Sequence, residues 1–131
     1  MKKCILVIAA VIALSACKKA EQVTPGNLYG KWELRRKAGS IAGFDSTFKA
    51  GTGRILQFKT DSTYVQYSKN KMISQGVFHI RPSDNPAPGS KAIFFDNSSY
   101  ENYFFLRGTN LRIGVNINDG VETDYVKISD H

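Results

Sequence analysis

The sequence predicts an all-β domain that closes as an eight-stranded, antiparallel, up-and-down barrel. Short apolar and polar alternations are divided by turn residues, and no stretch shows the 3.6-residue periodicity of a long helix. Neighbouring segments are joined mostly by hairpin-length connections, which favours a meander. A meander closes comfortably at eight strands, and closure removes its reactive edges. A β-sandwich is the competing arrangement.

Eight strands are predicted from residue 30 onward. Turn residues such as Thr60-Asp61-Ser62, Asn70-Lys71 and Asn118-Asp119-Gly120 separate several of them. Two longer connections are expected, a Gly/Ser-rich one over 37–52 and a proline-rich one over 82–90. The predicted strands are 30–36, 53–59, 63–69, 72–81, 91–96, 100–107, 111–116 and 121–129.

Alternation within each strand assigns its side chains to two faces. In the last strand, Val126 and Ile128 are expected to oppose Lys127, with the lysine outside. Phe94-Phe95 and Tyr103-Phe104-Phe105 are apolar on both faces, so their register stays open. The inward side chains that could line a ligand pocket are Leu56, Phe58, Phe78, Ile80, Leu111 and Ile113.

The first residues predict a secretory signal peptide over 1–16. A short basic start is followed by an apolar run over 5–14, which is too short to span a bilayer. The tetrad Leu14-Ser15-Ala16-Cys17 resembles the lipobox of bacterial lipoproteins. That resemblance implies cleavage before Cys17, lipid attachment to its thiol and a permanent membrane tether. Ordinary secretion with cleavage near Ala16 is the alternative.

Composition then excludes several function classes. Cys4 leaves with the signal and Cys17 is alkylated, so the mature chain is expected to have no disulfide, thiolate nucleophile or cysteine metal site. Beyond residue 16, 16 basic residues stand against 11 acidic ones. The basic positions are scattered and no nucleic-acid motif accompanies them, so a nucleic-acid partner is not expected.

The residues after the signal predict a tether and then one domain. Residues 17–27 contain the lipidated cysteine and a polar stretch that ends in a Pro-Gly breaker, and the domain is expected over 28–131. Lys18 and Lys19 follow the cysteine without an aspartate. Among lipoproteins of double-membraned bacteria, that pattern resembles outer-membrane placement, with the domain facing the periplasm.

Several segments are similar to lipocalin-like bacterial lipoproteins. Leu28-Tyr29-Gly30-Lys31-Trp32 resembles the Gly-x-Trp start of the first lipocalin strand, and Phe58-Lys59-Thr60-Asp61-Ser62-Thr63-Tyr64 resembles a strand–turn–strand stretch of the family. Gly76-Val77-Phe78-His79-Ile80 and the final Tyr125-Val126-Lys127-Ile128 are similar to later strands. The resemblance implies a barrel whose end is plugged by Trp32, next to Gly30, with Lys127 or Arg112 as the cation across the indole.

No catalytic or metal motif accompanies these segments. His79 is predicted to point outward without a second ligand nearby, and His131 is the last residue. Motifs for a serine nucleophile, a zinc protease and a phosphate-binding loop are missing. The sequence therefore predicts a protein that is not an enzyme and needs no cofactor or metal.

Two functions remain open at this stage. The first is a tethered protein that binds a small hydrophobic molecule at the barrel mouth, gated by Ile41, Phe44 and Phe48 of the 37–52 connection. The second is an envelope interaction or structural module with a filled barrel and a protein partner. The aromatic residues in the middle of the domain fit either a lined pocket or a packed core.

Overall fold

The computed structural model describes residues 21–41, 43–83, 89–115 and 120–131. The predicted signal peptide, Cys17, and Asn118 and Asp119 of the last predicted turn lie outside these residues. The described part contains strands and no helix. The strands are β1 Gly30–Gly39, β2 Phe44–Thr47, β3 Ile55–Phe58, β4 Thr63–Ser68, β5 Lys71–Pro82, β6 Lys91–Phe95, β7 Asn102–Arg107, β8 Asn110–Val115 and β9 Val121–Ser129.

The strands form one antiparallel sheet that closes on itself. From β3 to β9 each strand pairs with the next one in the sequence, β1 pairs with β3, and β9 returns to pair with β1. These eight strands make a closed up-and-down barrel. The predicted barrel is confirmed, and the alternative β-sandwich is excluded.

The ninth strand, β2, was not predicted. The predicted connection over 37–52 is not wholly irregular, because β1 continues to Gly39 and β2 folds back on it with Gly39 opposite Phe44. A strand has only two edges, and β9 occupies one edge of β1 along most of its length. The other edge is therefore shared by β3 near the start of β1 and by β2 near its end. Every residue of β2 is exposed, which hides it from a search for apolar alternation.

The up-and-down order gives the barrel two distinct ends. The end called closed here holds the start of β1, the hairpin at 59–62, the connection between β5 and β6, and the turn at 108–109. The opposite end, called open, holds the β1–β2 and β4–β5 hairpins and the connection at 96–101. The chain enters and leaves the barrel at the closed end.

Most of the predicted inward faces are confirmed. Leu56, Phe58, Phe78, Leu111 and Ile113 are buried in the core. Ile80 shares a face with Phe78 and lies opposite Ile93, yet 42% of its surface is exposed because it stands near the closed-end limit of β5. The open registers resolve with Phe95 and Phe104 toward the core.

The predicted faces of β9 are wrong. Lys127 and Ser129 are buried, whereas Val126 and Ile128 are half-buried on the opposite face. Lys127 can point inward because polar partners at the closed end satisfy its ammonium group. Hydropathy alone could not reveal those partners, since they come from segments far away in the sequence.

A charge ladder crosses the outer wall where the barrel closes. Arg36 of β1 pairs with Asp45 of β2 at 2.8 Å and with Asp124 of β9 at 3.4 Å, and Arg112 of β8 pairs with Asp124 at 2.6 Å. Burial raises the pKa of Asp124, but the hydrogen bonds and charges of Arg112 and Arg36 outweigh it and lower that pKa below its usual value. These pairs tie together four neighbouring strands at the seam.

Gly30 permits the close approach of β1 and β9 at the closed end. Its φ is +120°, and a Cβ at this position would lie 2.2 Å from the Ser129 carbonyl oxygen. That backbone region is nearly restricted to glycine, and the neighbouring atom belongs to backbone that cannot turn aside. The Gly-x-Trp start thus has a steric basis in this barrel.

We predict that Gly30→Ala lowers the free energy of unfolding by at least about 3 kcal/mol, because it adds a backbone clash to a strained φ. Gly108→Ala is the matched control, since Gly108 has a φ of +58° and its Cβ would meet nothing within 4 Å. The control is expected to cost about 1 kcal/mol. Denaturant unfolding measures both, and equal costs would contradict the steric argument.

Candidate functional site

The closed end of the barrel is plugged by Trp32. Its side chain is fully buried, and the indole Nε1 donates a hydrogen bond of 2.6 Å to the Leu28 carbonyl. The Lys127 Nζ lies 5.5 Å from the centroid of the indole ring, within cation–π range. Of the two cations that the resemblance offers, Lys127 occupies this place and Arg112 lies in the charge ladder on the outer wall.

The segment before β1 is held across this closed end. The Lys127 ammonium donates to the carbonyls of Thr24 and Asn27 at 3.1 and 2.9 Å, and it forms an ion pair of 2.8 Å with Asp130. Asp130 in turn accepts hydrogen bonds from the backbone amide and the hydroxyl of Thr24. Residues 21–27, which the sequence assigns to the tether, therefore include a stretch bound to the barrel.

Aromatic side chains fill the barrel interior above the plug. The ring of Phe58 meets Phe78 edge-on with centroids 5.0 Å apart and stacks on Phe95 at 6.2 Å. Tyr64 packs edge-on against Phe95 at 5.0 Å. Five of the six residues predicted to line a ligand pocket are packed in the buried core around this cluster: Leu56, Phe58, Phe78, Leu111 and Ile113.

A cavity of about 380 Å³ opens above this packed region, toward the open end. Its apolar floor includes Leu34, Leu56 and Tyr125. Of the predicted lining residues, Leu56 is the one that contacts this space. Polar side chains surround the apolar floor, and they come from the open-end parts of β1, β4 and β9 and from the residue before β3: Lys37, Arg54, Gln66, Tyr67, Ser68 and Thr123.

The mouth of this cavity is electropositive. Lys37 and Arg54 line it, and no acidic side chain of the described residues does. Among the described residues, neither cation has a carboxylate within ion-pair distance. Burial raises the pKa of the Tyr125 hydroxyl, which keeps it neutral and able to donate a hydrogen bond at ordinary pH. The site can therefore hold an apolar body together with an anionic group.

Sequence reasoning missed Lys37 because it ended the first strand at residue 36, whereas β1 continues to Gly39 and contains an irregularity before Lys37. Strict alternation from Trp32 and Leu34 places Arg36 inside and Lys37 outside. In the structure Leu34 lies opposite Tyr125 and Arg36 lies opposite Asp124, so one extra residue sits between them. This β-bulge turns Arg36 to the outer wall and Lys37 to the mouth of the cavity, where its side chain stays exposed. The sequence Arg35-Arg36-Lys37 does not indicate the position of such a bulge, because all three residues are basic.

The predicted gate does not cover the cavity in this structure. Ile41 is 76% exposed at the tip of the β1–β2 hairpin, and Phe44 belongs to β2 on the outer wall. The Phe48 ring packs 4.6 Å from the guanidinium of Arg54 instead. The connection between β2 and β3 is fixed by the carboxylate of Glu33, which accepts hydrogen bonds from the Gly51 and Gly53 amides.

The described residues contain no group of three His, Cys, Asp or Glu side chains arranged to hold a metal ion. In the same part of the chain, no helix is long and apolar enough to cross a membrane. A scan against protein-family models finds no match to this chain, and a search of the curated proteins finds no relative.

We predict that acid weakens the closed end through Asp130. The hydrogen bond from Lys127, followed by those from Thr24, lowers the pKa of Asp130 well below its usual 3.8. Because the folded-state pKa is depressed, this stabilisation is present above about pH 4 and is lost as the pH falls further. The thermal midpoint should therefore fall more steeply below pH 4 in the wild type than in Asp130→Asn. Parallel pH profiles would contradict this assignment.

Proposed function

We propose that this protein is a membrane-anchored lipoprotein of the bacterial envelope that binds a small amphipathic anion in the mouth of its barrel. The anchor is the lipid on Cys17, and the domain faces the periplasm from the outer membrane. The activity is binding without catalysis. The cavity beside Lys37 and Arg54 is the observation on which the ligand class depends.

The cavity volume and lining support this ligand class. A space of about 380 Å³ falls at the small end of ligand pockets, so it suits a compact molecule rather than a long acyl chain. Leu34 and Leu56 offer apolar contact to the body of the ligand. Lys37 and Arg54 offer charge-assisted hydrogen bonds to a carboxylate, sulfonate or phosphate group at the rim.

The packed closed half favours a second function, an interaction module with no ligand. Large apolar side chains stand exposed at the open end, on connections or at the start of β5: Ile41, Met72, Ile73 and Tyr100. Exposed apolar groups on one rim are a common feature of protein contact surfaces. In this second function the electropositive mouth would be part of a surface that contacts another protein.

We predict that the chain from residue 18 onward binds the fluorescent probe 1-anilinonaphthalene-8-sulfonate at the mouth, and that Lys37→Ala weakens this binding about fivefold. A partly exposed charge pair contributes roughly 1 kcal/mol, which corresponds to that factor. N-phenyl-1-naphthylamine has the same ring system without the sulfonate. Its affinity should change less than twofold, since it has no charge for Lys37 to contact.

Lys91→Ala is the control for this titration, because Lys91 is an exposed lysine at the closed end, away from the cavity. It should leave the affinity for both probes unchanged. Equal weakening of the sulfonate probe by both lysine variants would point to a diffuse charge effect. Absence of saturable binding by the wild type would favour the interaction module.

Lipid attachment is a separate prediction. In growing bacteria, an alkynyl analogue of palmitate should label the wild-type protein and Cys4→Ala equally, because Cys4 leaves with the signal peptide. The label should disappear in Cys17→Ala, since no other residue is the acceptor. Labelling of Cys17→Ala at the wild-type level, or an unlabelled wild type, would contradict the anchor.

A further inference from the structure

We infer that the closed end of the barrel rests on anionic lipid headgroups, so that the ligand-binding mouth points away from the membrane that holds the anchor. This inference rests on the proposed lipid attachment at Cys17. It adds the surface that meets the bilayer and the direction of the cavity.

The position of Gln22 limits how far the closed end can stand from the bilayer. The backbone amide of Asp130 donates a hydrogen bond of 3.0 Å to the Gln22 carbonyl, so the chain is already bound to the closed end at residue 22. Cys17 lies five residues earlier. A fully extended chain covers at most about 18 Å over five residues, so the closed end cannot stand farther than that from the lipidated cysteine.

The closed end carries the charge that such a position requires. Among the described residues, its exposed or half-buried basic side chains belong to the ends of five strands or their turns: Lys31, Lys59, Arg81, Lys91 and Arg107. The acidic side chains described there are Glu21, Asp61 and Asp130, together with Glu101, whose carboxylate accepts a hydrogen bond from Ser83 of the β5–β6 connection; Asp130 is already paired with Lys127. Lys18 and Lys19 add two positive charges to the short stretch that leads to Cys17.

An interfacial aromatic residue stands among these charges. Tyr29, just before β1, keeps 38% of its surface exposed at the closed end. Tyrosine side chains are enriched at the level of lipid headgroups, where the ring and the hydroxyl each find a suitable environment. Basic side chains within a Debye length of an anionic surface are attracted to it, so the end with the anchor also has the matching charge.

The test places a fluorophore at each end of the whole protein. The closed-end fluorophore is attached to Thr60→Cys, in the exposed hairpin at 59–62. The open-end fluorophore is attached to Ile41→Cys, at the tip of the β1–β2 hairpin. The wild type is the labelling blank, because its own cysteines are Cys4 and Cys17. The protein is incorporated into vesicles of phosphatidylcholine with one quarter phosphatidylglycerol, which also contain a headgroup quencher.

The lipid should quench the Thr60 reporter at least about twofold more than the Ile41 reporter at low salt. Replacing Lys59, Lys91 and Arg107 by serine should remove most of this difference. The open-end control, Lys49, Lys69 and Lys71 replaced by serine, should preserve it. Equal quenching at both positions, or stronger quenching at Ile41, would overturn the orientation.

The palmitate labelling experiment reports on the anchor independently. If the wild type is unlabelled, the free protein is mixed with the same vesicles and with pure phosphatidylcholine vesicles. Binding that requires phosphatidylglycerol and weakens about fivefold for each closed-end charge removed would support the basic surface without the lipid. Absence of a preference for phosphatidylglycerol would overturn it.

Discussion

The pairing of β9 with β1 joins the last strand to the first and closes the barrel. The stability of the barrel depends on how side chains pack around this pairing at the closed end. Trp32 of β1 is buried inside the closed end, and Lys127, its partner in the ladder on β9, lies across the indole. Burying an ammonium group is costly unless it is paired. Asp130 and the carbonyls of the segment before β1 supply those partners, so the plug, the last strand and the entering chain depend on one another.

Much of this fold could be predicted because several of its strands alternate visibly between apolar and polar residues and turn residues separate them. Leu56 and Phe58, or Leu111 and Ile113, are separated by polar neighbours, and the structure buries them as expected. The exceptions have local physical causes. The short strand β2 has no buried face, the bulge in β1 reverses the alternation at Lys37, and Lys127 is buried against partners distant in the sequence.

The candidate site was harder to predict than the fold. Alternation identifies which side chains face the interior, but it does not tell which of them touch one another. Phe58 and Phe78 face inward as a ligand-lining residue would, and they pack on each other instead. The cavity lies closer to the open end, where Leu34 and Tyr125 meet polar side chains near the rim. The interior of an eight-stranded barrel is just wide enough for side chains to fill, and here they fill the closed half and leave a shallow space toward the open end.

The two ends of the barrel thus differ in chemistry. Both ends carry exposed basic side chains, but the closed end combines the entering chain with the buried Lys127, while the open end combines a small cavity with Lys37 and Arg54. A protein held at its closed end would present the cavity to the aqueous compartment. In that arrangement the anchor and the ligand would occupy opposite ends of the barrel.

The most direct test of this account is a titration of the isotope-labelled chain from residue 18 onward with 1-anilinonaphthalene-8-sulfonate, followed by amide NMR shifts. The account predicts saturable shifts concentrated at Leu34, Lys37, Leu56 and Thr123, with little change at Phe78 and Ile93 in the packed half. Shifts centred on the packed half, or on the closed end around Trp32, would contradict a barrel whose ligand space is confined to its mouth.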